Sequence, residues 1–241
     1  MTEREQTDAD LWSGVDLSGI VLVLGFGTGQ LVQLLAEEAL RAGGAVLLAG
    51  HSRATLASWH ERVVGLPAVE LLCCRYRELP LADASVDLCV INGTLREVPV
   101  PHYRTQLEEI WRVLVPGGQL RVSDLLAPSA EPYGRAWRAR CELITHLGEA
   151  LGKPVALNAD VQALAVAMRA VGFESMAVSL LPGLALTDEW LGDTVEAVQT
   201  MASRVADSGV RRSLLETDVA ALVSAYRAGR QRAADRFTMR G

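Results

Sequence analysis

Three glycines at the end of an apolar run are the residues best placed to do chemistry. Gly25, Gly27 and Gly29 belong to the stretch VLVLGFGTG, residues Val21–Gly29, and a helix-like segment follows them. Glycines let backbone N–H groups approach a ligand without an intervening Cβ atom, and the start of a helix carries a partial positive charge. The pattern predicts a strand, a turn and a helix that open a nucleotide-binding α/β sheet.

The rest of the chain alternates strand-like and helix-like segments as far as about residue 180. Short apolar runs between turn signals predict buried parallel strands, and amphipathic segments predict the helices between them. The further predicted strands are Ala45–Gly50, Val69–Cys74, Val86–Asn92, Gln119–Ala127 and Phe173–Leu181, and the predicted helices include Thr55–Val64, Tyr103–Val113, Trp137–Leu151 and Asp160–Val171. This order predicts an α/β fold with a doubly wound sheet.

The C-terminal third departs from this alternation. Two segments with a helical pattern, Asp188–Ala206 and Val210–Ala234, precede a short β-like segment, Asp235–Arg240. We therefore expect a helical insertion between the sixth and seventh strands, an antiparallel seventh strand and the sheet order 3-2-1-4-5-7-6. The apolar residues of the insertion favour a lid over the crevice of the sheet, and the alternative is a homodimer face. The predicted domains are 1–182 for the core, 183–234 for the insertion and 235–241 for the last strand.

Composition and charge narrow the class of partner. The chain has 241 residues, a net charge of −6, 50% apolar content and a single lysine, Lys153. Because no block of basic residues stands out, we expect no nucleic-acid partner. The polar, acidic start MTEREQTDAD and the lack of an apolar run of about 18 residues predict neither a signal peptide nor a membrane span. We expect a cytoplasmic enzyme that acts on a small molecule.

The cysteines do not have the spacing of a metal site. Cys73, Cys74, Cys89 and Cys141 include no CxxC pair. This spacing favours reduced, buried thiols over a disulfide or a bound metal.

Two longer stretches, ELPLADASVDLCVIN and EEIWRVLVPGGQLRVSDLL, resemble the signature region of class I S-adenosylmethionine (SAM)-dependent methyltransferases. The likeness is greatest to small-molecule enzymes of the ubiquinone/menaquinone and arsenite methyltransferase type, and it covers about residues 18–181. The matching pieces are Leu79-Pro80, Asp83, Val86–Leu88, Arg112–Leu114, Pro116–Gly118 and Ser123-Asp124. The resemblance implies a seven-stranded Rossmann-like methyltransferase sheet, SAM as cofactor and a small substrate.

The sequence departs from the family's pattern at three acidic positions of the cofactor site. An acid near the glycine motif, another at the end of the second strand and a third after the third strand are replaced by Val23, Gly50 and Arg75. A guanidinium has donors only, so Arg75 cannot accept a hydrogen bond from an adenine amino group. The resemblance places these residues around the cofactor: Gly25, Phe26, Gly27, Gly29, Gly50, His51, Arg75, Tyr76 and Asn92.

Candidate catalytic residues are few. His146 has the ordinary chemistry of a general base, and Cys141 lies where arsenite-type relatives have a thiol. His60 and His102 are expected to be solvated. The main hypothesis is SAM-dependent methylation of a small apolar substrate with an atypical cofactor site. The alternatives are a degenerate methyltransferase fold reused as a cyclase or hydrolase, and a non-catalytic partner protein.

Overall fold

Seven strands form a single sheet. The computed structural model describes residues 12–25, 29–128, 130–153, 155, 157–181, 183, 185–229 and 231–241. The strands are β1 Ile20–Leu24, β2 Ala45–Gly50, β3 Val69–Cys73, β4 Val86–Asn92, β5 Leu114–Leu125, β6 Ala177–Leu181 and β7 Arg236–Arg240. Their order in the sheet is β3-β2-β1-β4-β5-β7-β6, which confirms the predicted topology.

Helices connect the strands. The longer ones are α1 Gln30–Ala42, α2 Arg53–Val63, α3 Tyr103–Val113, α4 Arg135–Ala150, α5 Val161–Val171, α6 Asp188–Ala202, α7 Ser208–Ser213 and α8 Val219–Arg227. Short 3-10 turns lie at Leu95–Glu97, Val100–His102 and Pro132–Gly134. The insertion lies between β6 and β7, as the sequence predicts. Its first predicted helix is α6, and its second is divided into α7 and α8 by a π-helical turn at Leu214–Asp218.

The strand directions follow from the backbone hydrogen bonds. β1 pairs in parallel with β2 and β4, β2 with β3, and β4 with β5. Leu120 and Gly241 exchange both backbone hydrogen bonds, at 2.7 and 3.0 Å, and the Leu126 N–H donates to the Asp235 carbonyl at 2.9 Å. Residue numbers rise from Leu120 to Leu126 along β5, while those of the paired residues fall from Gly241 to Asp235 along β7. The two strands are therefore antiparallel. The seventh strand therefore has the predicted direction.

Local sequence explains where several helices begin and end. Gly29 and Gly43 bound α1, and both adopt left-handed φ angles, 85° and 86°. The Asp160 carboxylate accepts a hydrogen bond from the Ala163 N–H and caps α5, which ends at Gly172 with φ 118°. A polar N-cap and a C-terminal glycine satisfy backbone groups that a helix leaves unpaired at its ends.

The chain divides into two compact units, which are described separately. The first comprises Met1–Asp124, Asp160–Ser179 and Phe237–Gly241, and the second Leu125–Ala159 and Leu180–Arg236. One core cluster of the first unit packs β1, β2 and β4 against α1, with Val23, Val90 and Leu35 fully buried.

The second unit has an apolar cluster of its own. It joins α4 to the inserted helices, and its buried members are Leu143, Leu147, Val198, Ala202, Val205, Leu214 and Leu222. Trp190, Leu191, Met201 and Leu215 pack against this cluster. Much of the apolar surface that the sequence assigns to the insertion is therefore buried inside this unit.

Several boundaries differ from the sequence prediction. The second inserted segment was expected to be helical to Ala234, but α8 ends at Arg227. Gly229 has φ 147°, outside the helical region, and ends the helical path. β6 begins at Ala177 rather than Phe173, after Ser175 at φ 54°. Among the described residues, no helix has both the length and the apolarity needed to cross a membrane.

Candidate functional site

The ends of β1, β2 and β4 align at one edge of the sheet. Leu24 is in register with Ala49 and with Ile91, so Gly25, Gly50 and Asn92 end their strands side by side. Parallel α/β sheets bind ligands outside the carboxyl ends of their strands. The structure therefore brings the described cofactor candidates of these strands to the edge where a ligand is expected.

Gly25 lies where the turn after β4 approaches β1 closely. Its φ angle is 97°, and an ideal Cβ atom built on it would lie 2.7 Å from the Asn92 carbonyl oxygen and against the Thr94 side chain. The Thr94 hydroxyl donates a hydrogen bond to the Leu24 carbonyl at 3.1 Å and holds the turn there. Glycine is required at this position by the fold itself, before any ligand is considered.

Gly29 places the start of α1 at the same end of β1. Gly29 is the N-cap residue of α1 and has a left-handed φ of 85°, and no acidic side chain lies in the first turn of α1. The first N–H groups of a helix have no partner within it and attract negative charge. Phe26 and Gly27, which were also assigned to the cofactor, lie outside the described residues.

Val23 stands at the first of the three missing acidic positions. Its side chain is fully buried in the core cluster with Leu31 and Leu35 of α1. A carboxylate at this buried position would need hydrogen-bond partners. The apolar residue is consistent with the core that surrounds it.

Gly50 stands at the second missing acidic position. An ideal Cβ atom at Gly50 would lie 2.8 Å from Trp59 Cζ3 and 2.9 Å from Leu56 Cδ2, both on α2. The space that an acidic side chain would enter is therefore occupied by two apolar side chains. His51, the next residue, is exposed.

Tyr76 covers the end of β2. Its hydroxyl donates a hydrogen bond to the Ala49 carbonyl at 3.2 Å, and its side chain is partly buried. Arg75, at the third missing acidic position, is exposed and begins a turn in which the Glu78 N–H donates to the Arg75 carbonyl at 2.9 Å. The Tyr76 hydroxyl thus lies at Ala49, the residue before Gly50.

Asp124 is a buried carboxylate near the end of β5, to which the sequence analysis assigns no role. Its side chain has no exposed surface and forms an ion pair with the Arg96 guanidinium at 3.4 Å. It also accepts a hydrogen bond from the Arg96 backbone N–H at 3.1 Å. Asp124 therefore positions the segment after β4, which carries Thr94. A carboxylate in a signature stretch was visible in the sequence, but its partner was not.

The two catalytic candidates from the sequence lie together in the second unit. Cys141 and His146, both on α4, line a cavity of about 460 Å³. The remaining lining residues are Arg138, Glu142, Thr145, Val155, Leu157 and Asn158. The cavity therefore combines charged, hydroxyl and apolar groups.

His146 has a carboxylate partner that the sequence did not reveal. Its Nδ1 atom lies 3.1 Å from Asp218 Oδ2, and 56% of the His146 side chain is exposed. A carboxylate on one ring nitrogen fixes the orientation of the imidazole and leaves the other nitrogen to exchange a proton. Asp218 is far away in sequence and has no motif around it, so no local signal could have indicated the pair.

The cysteines differ in their surroundings. Cys89 and Cys141 are buried as predicted, but Cys73, at the end of the edge strand β3, is exposed. Burial and the neighbouring Cys73 raise the pKa of Cys74 to about 11. Burial also raises the pKa of Cys89, which is completely enclosed. Among the described residues, no group of three or more His, Cys, Asp or Glu side chains is arranged to hold a metal ion.

Comparison with known proteins identifies the family. A family model described as a methyltransferase domain matches residues 21–118. The chain is 30% identical over 182 residues to the ubiquinone/menaquinone biosynthesis C-methyltransferase UbiE of Klebsiella pneumoniae (strain 342), with 68% of this chain and 70% of the relative covered. The chain belongs to the class I SAM-dependent methyltransferase family. The cofactor of this family is SAM, which supports the prediction of SAM as cofactor made from the sequence.

Solved methyltransferase-like structures share the fold. A SAM-dependent methyltransferase from Aquifex aeolicus is 20% identical, with a TM-score of 0.52 and coverage of 76% of this chain and 82% of its own. The [4+2]-cyclase SpnF is 18% identical, with a TM-score of 0.57 and coverage of 98% and 80%. At these identities the likeness concerns the fold alone.

Replacement of Gly25 tests the close approach at the end of β1. We expect Gly25→Ala to reduce the free energy of unfolding by more than Gly43→Ala, which should cost about 1 kcal/mol. Both glycines have similar left-handed φ angles, but a Cβ atom at Gly43 would meet nothing within 4 Å. Urea denaturation of the two variants measures the difference. Equal losses would contradict the steric role of the turn after β4.

Proposed function

We propose that this protein methylates a small apolar molecule with SAM, which it binds through an atypical adenosine subsite. The proposal is carried by one observation: the Gly25 turn, the start of α1, Tyr76 and Asn92 gather along the carboxyl edge of a sheet in a chain of this family. SAM supplies an electrophilic methyl group on a sulfonium. The chain's own residues bind that cofactor and align it with the acceptor.

The methionine end of SAM fits the residues present. Gly25 and Gly29 expose backbone N–H groups, and the first turn of α1 presents partial positive charge without a competing acid. These features suit a carboxylate. We therefore assign the glycine turn, including Phe26 and Gly27, to the methionine portion.

The adenosine end lacks its usual acceptors. A hydrogen bond that involves a charged group contributes about 1.5–3 kcal/mol, so each lost carboxylate weakens binding by roughly 10- to 100-fold unless it is replaced. We assign the replacement to the His51 imidazole, which can accept a hydrogen bond from a ribose hydroxyl, and to the Tyr76 ring, which can stack on adenine. Gly50 and Arg75 complete the wall of this subsite.

Alignment accounts for most of the catalysis in this scheme. Asn92 ends β4 beside Gly25, and its amide can orient the acceptor or the transferred methyl group. Holding two reactants in attack geometry converts a bimolecular step into an intramolecular one, worth about 7–11 kcal/mol in favourable cases. The apolar acceptor is the one that the sequence analysis predicts.

A charge reversal at Arg75 tests the atypical adenosine subsite. We expect Arg75→Asp to tighten SAM binding by about 10-fold, because it restores an acceptor for the adenine amino group. The matched control is Arg77→Asp, an equal charge change two residues away at another exposed position, which should leave affinity within about threefold. Isothermal titration with SAM measures both constants.

Two results of this titration would contradict different parts of the proposal. No SAM binding by the wild type would remove the proposed activity, whereas equal affinity of the Arg75→Asp variant and the wild type would remove only the assignment of position 75. Gly50→Asp is a less suitable test, since its Cβ atom would displace Trp59 and Leu56. The Gly50→Asp substitution should therefore be combined with a smaller residue in place of Trp59.

The general-base role of His146 stays a prediction from the sequence; within the second unit its ring is paired with Asp218, and Cys141 lines the same cavity. We expect His146→Gln to lower kcat by about 10²-fold or more, and Asp218→Asn to lower it less. His60→Gln is the matched control, because His60 is exposed on α2. The measurement is release of S-adenosylhomocysteine with a panel of small apolar phenols and quinols. An unchanged kcat in His146→Gln would exclude this role.

A second candidate function is a non-methylating enzyme, such as a cyclase, built on the same fold. The observation that favours it is the occupation of the space beside Gly50 by Trp59 and Leu56. Conversion of a substrate without consumption of SAM would support it. The domain limits 1–182, 183–234 and 235–241, the lid or homodimer role of the insertion and a cytoplasmic location stay predictions.

A further inference from the structure

A buried arginine in the middle of β5 has no acidic partner among the described residues. Only 7% of Arg121 is exposed. Its Nη2 atom donates a hydrogen bond to Gln119 Oε1 at 2.5 Å, while its buried Nε atom has no partner. Gln119 is neutral, so it satisfies one donor without balancing the charge. A buried guanidinium without a counter-charge is costly, because it stays ionised.

A second arginine lies directly across the strand pair. Leu120 and Gly241 form a doubly hydrogen-bonded antiparallel pair, so the next residues, Arg121 and Arg240, stand opposite each other with their side chains on one face. Arg240 is exposed. Like charges directly opposite each other in a sheet are destabilising. Consistent with this, burial and the charge of Arg240 lower the pKa of Arg121.

The pair lies within the sheet rather than at its carboxyl edge. Arg121 is in register with Val90, which belongs to the core face packed against α1. The same face of β5 and β7 carries Ser123 opposite Thr238, which follows from the same antiparallel register. Arg121 and Ser123 are buried and Arg240 is exposed, so this part of the face joins a buried guanidinium to an exposed one. None of the ion pairs formed by the described residues involves Arg121 or Arg240.

We propose that Arg121 and Arg240 form a binding site for a small oxyanion, a phosphate ion or the phosphate group of a metabolite. Guanidinium groups present parallel N–H donors that match the oxygens of such an anion, and charge-assisted hydrogen bonds are stronger than neutral ones. A bound anion would satisfy the Arg121 Nε atom and relieve the repulsion between the two arginines. The site is independent of the cofactor subsites at the carboxyl edge.

Thermal unfolding at constant ionic strength tests the site. Inorganic phosphate replaces sodium chloride stepwise, and a parallel titration uses glycerol 3-phosphate. We expect a saturable rise in Tm with phosphate, since a ligand that binds only the folded state stabilises it in proportion to its occupancy. The tighter of the two titrations shows whether the site prefers the free ion or a phosphorylated metabolite.

Three variants test whether the rise in Tm with phosphate depends on Arg121 and Arg240. Arg121→Gln and Arg240→Gln should each weaken the apparent phosphate affinity at least 10-fold, and Arg240→Gln should have a Tm in chloride alone no lower than the wild type. Arg169→Gln is the matched control, an exposed arginine on α5 of the same unit, and should respond like the wild type. If Arg121→Gln does not fold, Arg240→Gln still decides the outcome, because its side chain is exposed. No response in the wild type, or an equal response in Arg240→Gln and Arg169→Gln, would overturn the proposal.

Discussion

The contact between the turn after β4 and Gly25 is the constraint on which the candidate site depends. The Thr94 hydroxyl binds the Leu24 carbonyl, and the Asn92 carbonyl lies where a side chain at Gly25 would be. Asp124 holds the same segment through the Arg96 backbone and guanidinium. Gly25 and the end of β4 are therefore fixed relative to each other before a ligand arrives, which is the preorganisation that alignment of reactants requires.

The missing acids change the cofactor site unevenly. In the proposed cofactor site, the start of α1 presents N–H donors that suit a carboxylate, whereas the adenosine end has Trp59 and Leu56 beside Gly50 and a cation at Arg75. Val23 is part of a continuous apolar core, and Trp59 fills the side of Gly50. These replacements are mutually consistent, because apolar packing has taken the space that the acids would occupy. We propose that the adenosine subsite is organised around Tyr76 and His51.

The sequence predicted the parts of the fold that local pattern controls. Apolar runs between turns gave the strands, and the lone β-like segment near the C-terminus gave β7 with its direction. The end of α8 was predicted wrongly, because the helical pattern of the sequence continues past Arg227, whereas the chain leaves the helical conformation at Gly229. The His146–Asp218 pair and the cross-strand Arg121–Arg240 pair depend on tertiary packing and strand register. A single sequence carries no local signal for either.

A crystal structure of the protein with saturating S-adenosylhomocysteine tests the central claim most directly. The account predicts the amino-acid portion at the first turn of α1 beside Gly25 and Gly29, and the adenine ring against Tyr76 with no carboxylate on the ribose. It also predicts that Trp59 keeps its place beside Gly50. Absence of the ligand from this edge at saturating concentration, or its binding elsewhere on the protein, would contradict the account.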